Sequence, residues 1–139
     1  MIPERYDIAI LTERRYEAPE EGDWYVGNIL HEAELLIDAL GTRGLRAERV
    51  DWSREDVDWT RYRAAIIRTT WDYFERYEEF SSWLSRVSSQ TELINSEGLV
   101  RWNLDKHYLK DLFERGVNVV ATRFIERGEE CSLSDVMAE

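Results

Sequence analysis

The chain is 139 residues long, which suits about one domain at the usual ~100–200 residues each. Its 18 Lys and Arg against 29 Asp and Glu give a formal net charge of −11, a balance that repels a phosphate backbone and argues against nucleic-acid binding. A hydrophobic share of 43%, with 6 Trp, 7 Tyr and 4 Phe, supports a packed core and excludes a disordered chain.

The first residues, Met1 to Asp7, lack an apolar signal core. Asp7 to Leu11 is then a short, nearly continuous apolar run, which predicts a strand buried on both faces as in a parallel sheet. A polar stretch follows from Thr12 to Trp24, in which Glu13-Arg14-Arg15 reads as a solvated loop of mixed sign. Asn28 is the expected cap of a helix whose Ile29, Ala33, Leu36, Ile37 and Leu40 recur at helical spacing, with Gly41 or Gly44 ending it.

Leu45 to Val50 predicts a second strand and Ala64 to Ile67 a third. No uninterrupted apolar run exceeds that of the third strand, which is far short of the ~20 residues that cross a bilayer, so no membrane association is expected. Arg68-Thr69-Thr70-Trp71-Asp72-Tyr73 follows as a polar and aromatic loop. Phe80, Trp83, Leu84 and Val87 then mark one helix face, and Glu92-Leu93-Ile94 is a short fourth strand.

Asn95 and Ser96 open a turn or short helix ending near Trp102. Asn103 is the expected cap of the next helix, with Leu104, Tyr108, Leu109, Leu112 and Phe113 as its buried stripe and Gly116 as its end. Val117 to Thr122 alternate as a fifth strand, continuing to Phe124, and Ser132 or Ser134 caps a last helix. Strands alternating with helices predict an α/β fold with an open parallel sheet. Ligands in such sheets bind beyond the carboxyl ends of the strands. Those positions are Thr12 and Glu13, Asp51 and Trp52, Arg68 to Tyr73, and Asn95.

The first strand–helix connection has no G-x-G-x-x-G and no Walker glycine–lysine pair, which argues against a nucleotide held there. The loop after the third strand is richer. Arg68 offers a planar donor fork suited to a carboxylate or phosphate, Thr69 and Thr70 add hydroxyls, Asp72 adds an acceptor, and Trp71 and Tyr73 could wall a pocket. The alternative is that Trp71 and Tyr73 pack beneath the next helix and Asp72 caps it. Lys106 falls in the first turn of its predicted helix, where the macrodipole disfavours a cation. It is either an ordinary exposed lysine offset by Asp105 or a cation poised for an anion. His31 and His107 read as surface residues, and Cys131 as a free thiol that cannot form an internal disulfide. No zinc-ligand spacing exists. Glu20-Glu21 and Glu126, Glu129 and Glu130 read as solvated charge.

The segment Arg68 to Tyr73, the Glu78-Glu79-Phe80 helix start, Ile94-Asn95, and Arg101-Trp102-Asn103-Leu104-Asp105-Lys106 together resemble the N-terminal part of ATP-grasp ligases. The order and spacing are most similar to the glutathione-synthetase-like group that includes the D-cycloserine-forming ligase. The resemblance implies a Rossmann-like pre-ATP-grasp domain over residues 1–95, on the substrate side, and an incomplete start of the ATP-grasp domain over 96–139. It implies that Lys106 reaches nucleotide phosphate and that Arg68, Thr70, Trp71, Asp72 and Asn95 face the substrate. It assigns no metal ligand and no catalytic residue to this chain.

Enzymes of this family condense a carboxylate with an amine, using ATP and Mg2+ and passing through an acylphosphate. The magnesium ligands, the glycine-rich flap and the second phosphate lysine of the family have no counterpart before Glu139. The expectation is therefore an N-terminal fragment, inactive and without tight cofactor binding by itself, cytoplasmic, with homodimerisation common among family members. The alternative is a standalone α/β domain that holds a small ligand or a protein partner without chemistry. A phosphoacceptor receiver domain is set aside, because Thr12-Glu13 and Arg68 stand where it needs paired acids and an aspartate.

Overall fold

A computed structural model of the chain describes residues 6–17, 19 and 22–138. The acidic pair Glu20-Glu21 lies outside the described residues. Four strands, β1 (Ile8–Thr12), β2 (Ala47–Asp51), β3 (Ala64–Thr69) and β4 (Glu92–Ile94), form one sheet in the order β2-β1-β3-β4. Every pairing is parallel, with Ile8 opposite Ala47 on one side and Ala64 on the other. The helices are α1 (Arg14–Glu17), α2 (Trp24–Gly41), α3 (Tyr77–Val87), α4 (Glu97–Leu104), α5 (Tyr108–Glu114) and α6 (Leu133–Ala138). The expected α/β class with an open parallel sheet is what the chain forms.

All five residues of β1 are buried, which requires cover on both faces of the sheet. On one face Ile8, Ile10 and Ala64 form a core onto which Leu36, Ile37 and Leu40 of α2 pack. On the other, by strand alternation, lie Ala9, Leu11 and Ala65, fully buried. The four apolar residues of α3, Phe80, Trp83, Leu84 and Val87, are all buried as their spacing predicts. Trp52, just past β2, meets Phe80 and Trp83 edge-on at 5.1 and 5.8 Å, and Trp59 meets Trp83 at 5.5 Å. Such pairs contribute about 0.5–1.5 kcal/mol each beyond the area they bury.

Several local expectations are corrected. Residues 14–17 of the polar stretch are helical, and α2 begins at Trp24, with Asp23 rather than Asn28 as its cap. Asp23 has the extended backbone a cap requires, and its carboxylate accepts the Tyr25 N–H at 2.8 Å. Asn28 sits inside the helix on its exposed side. The first turn, Trp24 and Tyr25, is apolar yet exposed, so periodicity conceals where the helix starts. The second strand starts at Ala47, not Leu45. Gly44 adopts φ +74°, which lets the chain reverse between α2 and β2. Arg68 belongs to β3 and is not a loop residue.

The chain divides into two compact units, Met1–Leu99 and Val100–Glu139. The division falls inside α4, which also contains Asn103, so Asn103 caps nothing. The following helix starts only at Tyr108, after a turn in which the Asp105 carboxylate accepts the His107 N–H at 2.9 Å. Phe113, expected in a buried stripe, is 68% exposed. Gly116, at φ +81°, ends α5 by donating its N–H to the Phe113 carbonyl. Val117 to Phe124 forms no strand, because among the described residues no neighbouring strand shares hydrogen bonds with it. Alternation gives a segment two faces but does not supply the partner a sheet needs. Ser132 immediately precedes α6, as one of the two expected caps does.

Candidate functional site

The strand order places the topological switch point between β1 and β3. The chain leaves β1 for β2 on one side and leaves β3 for β4 on the other. Two connections that diverge from neighbouring strands open a crevice at the strands' carboxyl ends. The residues there are Thr12 and Glu13 after β1, and Thr69 to Asp72 at the end of β3.

The two strand ends are tied together. The Glu13 N–H donates to the Thr69 carbonyl at 2.9 Å, and Thr69 Oγ1 donates to Thr12 Oγ1 at 2.8 Å. The backbone then turns through a 3₁₀ segment, Trp71–Phe74, whose Asp72 N–H donates to Glu13 Oε2 at 2.8 Å. The other Glu13 oxygen pairs with Arg15 Nε. Glu13 is thus a carboxylate only 2% exposed, with one oxygen on each wall of the crevice. Burial pushes its pKa above the ordinary value, and the nearby Asp72 charge adds to this, while Arg15 and the Asp72 N–H oppose it.

Asp72 is the second hub. Its Oδ1 accepts the Trp52 indole N–H at 2.8 Å, and its Oδ2 accepts Arg76 Nη1 at 2.8 Å. Arg76 also lies 4.6 Å over the Trp52 ring and donates from Nε to Glu79 at 2.9 Å. Asp51, buried at the end of β2, accepts both the N–H and the hydroxyl of Ser53 at 2.9 Å. These bonds fix the crevice floor before any ligand arrives. Above the floor lies a cleft of about 290 Å³, lined by Glu13, Arg14, Arg15, Trp71, Asp72, Phe74, Glu75 and Arg76.

The residues singled out in the sequence meet only partly. Trp71 and Asp72 line the cleft, with Trp71 39% exposed and its ring edge-on to Tyr16 at 5.8 Å. Thr70 is buried just before the turn. Arg68 points to α2 and pairs with Glu32. Tyr73 packs against Phe80 at 5.7 Å, as the packing alternative has it, whereas Asp72 serves Trp52 and Arg76 instead of capping α3. Asn95 is exposed at the end of β4, after a cis peptide bond with Ile94. Lys106 belongs to the other unit, exposed, its Nζ 5.5 Å over the Tyr108 ring. That unit has its own cleft of about 460 Å³, mainly apolar, between Leu109 and Phe113 of α5 and residues 119–124.

Glu13 itself is the correction. Glu13-Arg14-Arg15 reads as a solvated loop in sequence, but Glu13 is buried as deeply as Asp51. Its position directly after a doubly buried strand is the signal that places it among the strand-end residues.

Known proteins share this fold. The profile described as D-cycloserine synthetase DcsG, N-terminal domain, matches residues 8–95, which include the whole sheet and the cleft. The chain belongs to this family. It is 43% identical over 95 residues to the cycloserine biosynthesis protein DcsG of Streptomyces lavendulae, covering 68% of this chain and 32% of that protein. The crystal structure of D-cycloserine synthetase DcsG superposes with a TM-score of 0.68 at 37% identity, covering 81% of this chain and 35% of that one. The chain therefore spans about a third of the length of these two relatives and is homologous to the N-terminal domain of a ligase.

Among the described residues no helix is long and apolar enough to cross a membrane, and no three His, Cys, Asp or Glu gather to hold a metal ion.

Proposed function

We propose that this chain is the substrate-side domain of an ATP-dependent carboxylate–amine ligase of the ATP-grasp type that forms D-cycloserine or a close analogue. The observation that carries the reading is the match of residues 8–95 to the DcsG N-terminal domain, over the stretch that builds the strand-end cleft. In this reading the cleft contributes binding and orientation, and the carboxylate is activated by phosphoryl transfer elsewhere in a longer polypeptide. Cationic side chains and metal ions stabilise such transfers.

Lys106 is exposed, one position after Asp105. One point charge is a phosphate contact and not a cradle. We assign Lys106 that contact in the larger assembly, with the 139-residue chain alone catalytically silent, cytoplasmic, and able to form a homodimer.

The test is a chimera in which residues 8–95 replace the matching segment of the Streptomyces lavendulae protein. ATP-dependent D-cycloserine formation by the folded chimera is the expected result, and a folded but silent chimera overturns the reading. In parallel, calorimetry of the 139-residue chain with Mg-ATP should show no micromolar binding. Micromolar binding would mean that the chain holds the nucleotide unaided, contrary to this division of labour.

A further inference from the structure

We propose that Arg14 and Arg15, with Trp71 as a flat wall, bind the carboxylate of a small organic acid in the cleft at the ends of β1 and β3. The proposal rests on the substrate-side reading above and says which side chains take the substrate.

The charges in the cleft point to an anion. Six ionisable groups line it: Arg14, Arg15, Arg76, Glu13, Asp72 and Glu75. Arg76 is committed to Asp72 and Glu79. Arg15 pairs with Glu13 through Nε and lies over the Tyr16 ring, so it is partly committed. Arg14 has no ion-pair partner among the described residues, in a chain where 29 acids face 18 bases. Guanidinium groups present paired N–H donors that match the two oxygens of a carboxylate.

Arg15 is also held in place. Buried Glu13 bonds Arg15 on one wall and the Asp72 N–H on the other, so one acid sets the spacing of both. The Arg15 guanidinium stacks 4.8 Å over the Tyr16 ring, and Tyr16 in turn meets Trp71. Groups ordered before binding lose less freedom when the ligand arrives. The cleft, at about 290 Å³, lies at the small end of ligand pockets, which run from ~300 to ~1,000 Å³. Three lining carboxylates balance the three guanidiniums, so the cleft has no surplus positive charge to favour a phosphate dianion over a monoanion.

The test is an NMR titration of the 139-residue chain with D-alanine, D-alaninamide and inorganic phosphate. D-alanine is chosen because it has a carboxylate, an amine and the D configuration named in the family description. Saturable shifts are expected at the amides of Glu13 to Tyr16 and Trp71 to Arg76 with D-alanine, none with D-alaninamide, and weaker binding of phosphate. Arg14→Gln should weaken D-alanine binding at least tenfold, and Arg14→Lys should restore part of it. Arg14 is exposed and unpaired, so its variants keep the fold, whereas Arg15→Gln leaves Glu13 unpaired and is less clean. An equal response to the amide, tighter binding of phosphate, or unchanged D-alanine binding by Arg14→Gln would each overturn the proposal. If that happens while the chimera makes D-cycloserine, the site assignment fails and the substrate-side reading stands. Carboxylate binding beside a silent chimera is the opposite failure.

Discussion

Trp52 donates its indole N–H to the Asp72 carboxylate at 2.8 Å, joining the end of β2 to the turn after β3. The ring is fully buried, and the same Asp72 also accepts Arg76, which lies over that ring. One aromatic residue therefore serves the core through its body and the crevice through its edge.

Trp52→Phe keeps most of the apolar packing but removes the donor. Asp72 Oδ1 then lacks a partner in a half-buried setting. A loss of about 1–3 kcal/mol is expected from the unmade bond. Urea denaturation checks this by a lower midpoint with an unchanged slope. Backbone amide shifts of Trp71 to Arg76 should move as well.

Phe80→Ala strikes the core alone. Phe80 packs against Trp52, Trp83 and Tyr73 at ring distances of 5.1, 5.4 and 5.7 Å. Truncation leaves a cavity among large rigid rings that cannot collapse easily. The expected cost is about 3–5 kcal/mol, read from thermal or urea unfolding.

Glu13 gives stability a pH dependence of unusual sign. Its pKa is raised in the fold chiefly by burial, from an ordinary value of 4.5. The folded chain therefore holds this proton more tightly than the unfolded chain does. That contribution is present below 4.5 and is lost as pH rises through the folded pKa. Glu13→Gln should remove it, so wild type minus variant stability should fall across that window. A difference that rises with pH there would contradict the burial argument.

His107 behaves in the same direction for a different reason. Its Nδ1 lies 2.7 Å from Asp105 and its Nε2 3.0 Å from Glu126, and its ring stacks on Phe124 at 4.8 Å. Two carboxylates on two ring nitrogens favour the imidazolium, so its pKa is raised above 6.5, first by Asp105 and then by Glu126. The stabilisation is complete below pH 6.5 and disappears as pH rises through the raised value. Proton NMR of the His107 ring should show the raised midpoint. Asp105→Asn and Glu126→Gln should each lower it.

The sheet was legible because its strands carry their evidence locally. Ala64 to Ile67 is an apolar run, and Phe80, Trp83, Leu84 and Val87 repeat at one helix face. The place of the crevice was legible from the strand ends, but its bonds were not, because they are remote. Glu13 and Asp72 meet across 59 positions, and nothing near either residue announces the other. Val117 to Phe124 fails in the opposite way. Its alternation is local and genuine, but a strand is a relationship between two segments, and this one has no second member among the described residues.

Trp52, Trp59 and Trp83, packed edge-on at 5.5–5.8 Å, also make the fold visible without a label. Indoles so close and so fixed couple their excited states, whereas Trp24 and Trp71 on the surface report solvent. Circular dichroism in the aromatic bands will follow the interior of the first unit. Fluorescence quenching by a soluble quencher will follow Trp24 and the wall of the cleft. A ligand that seats against Trp71 should alter the second signal and leave the first in place.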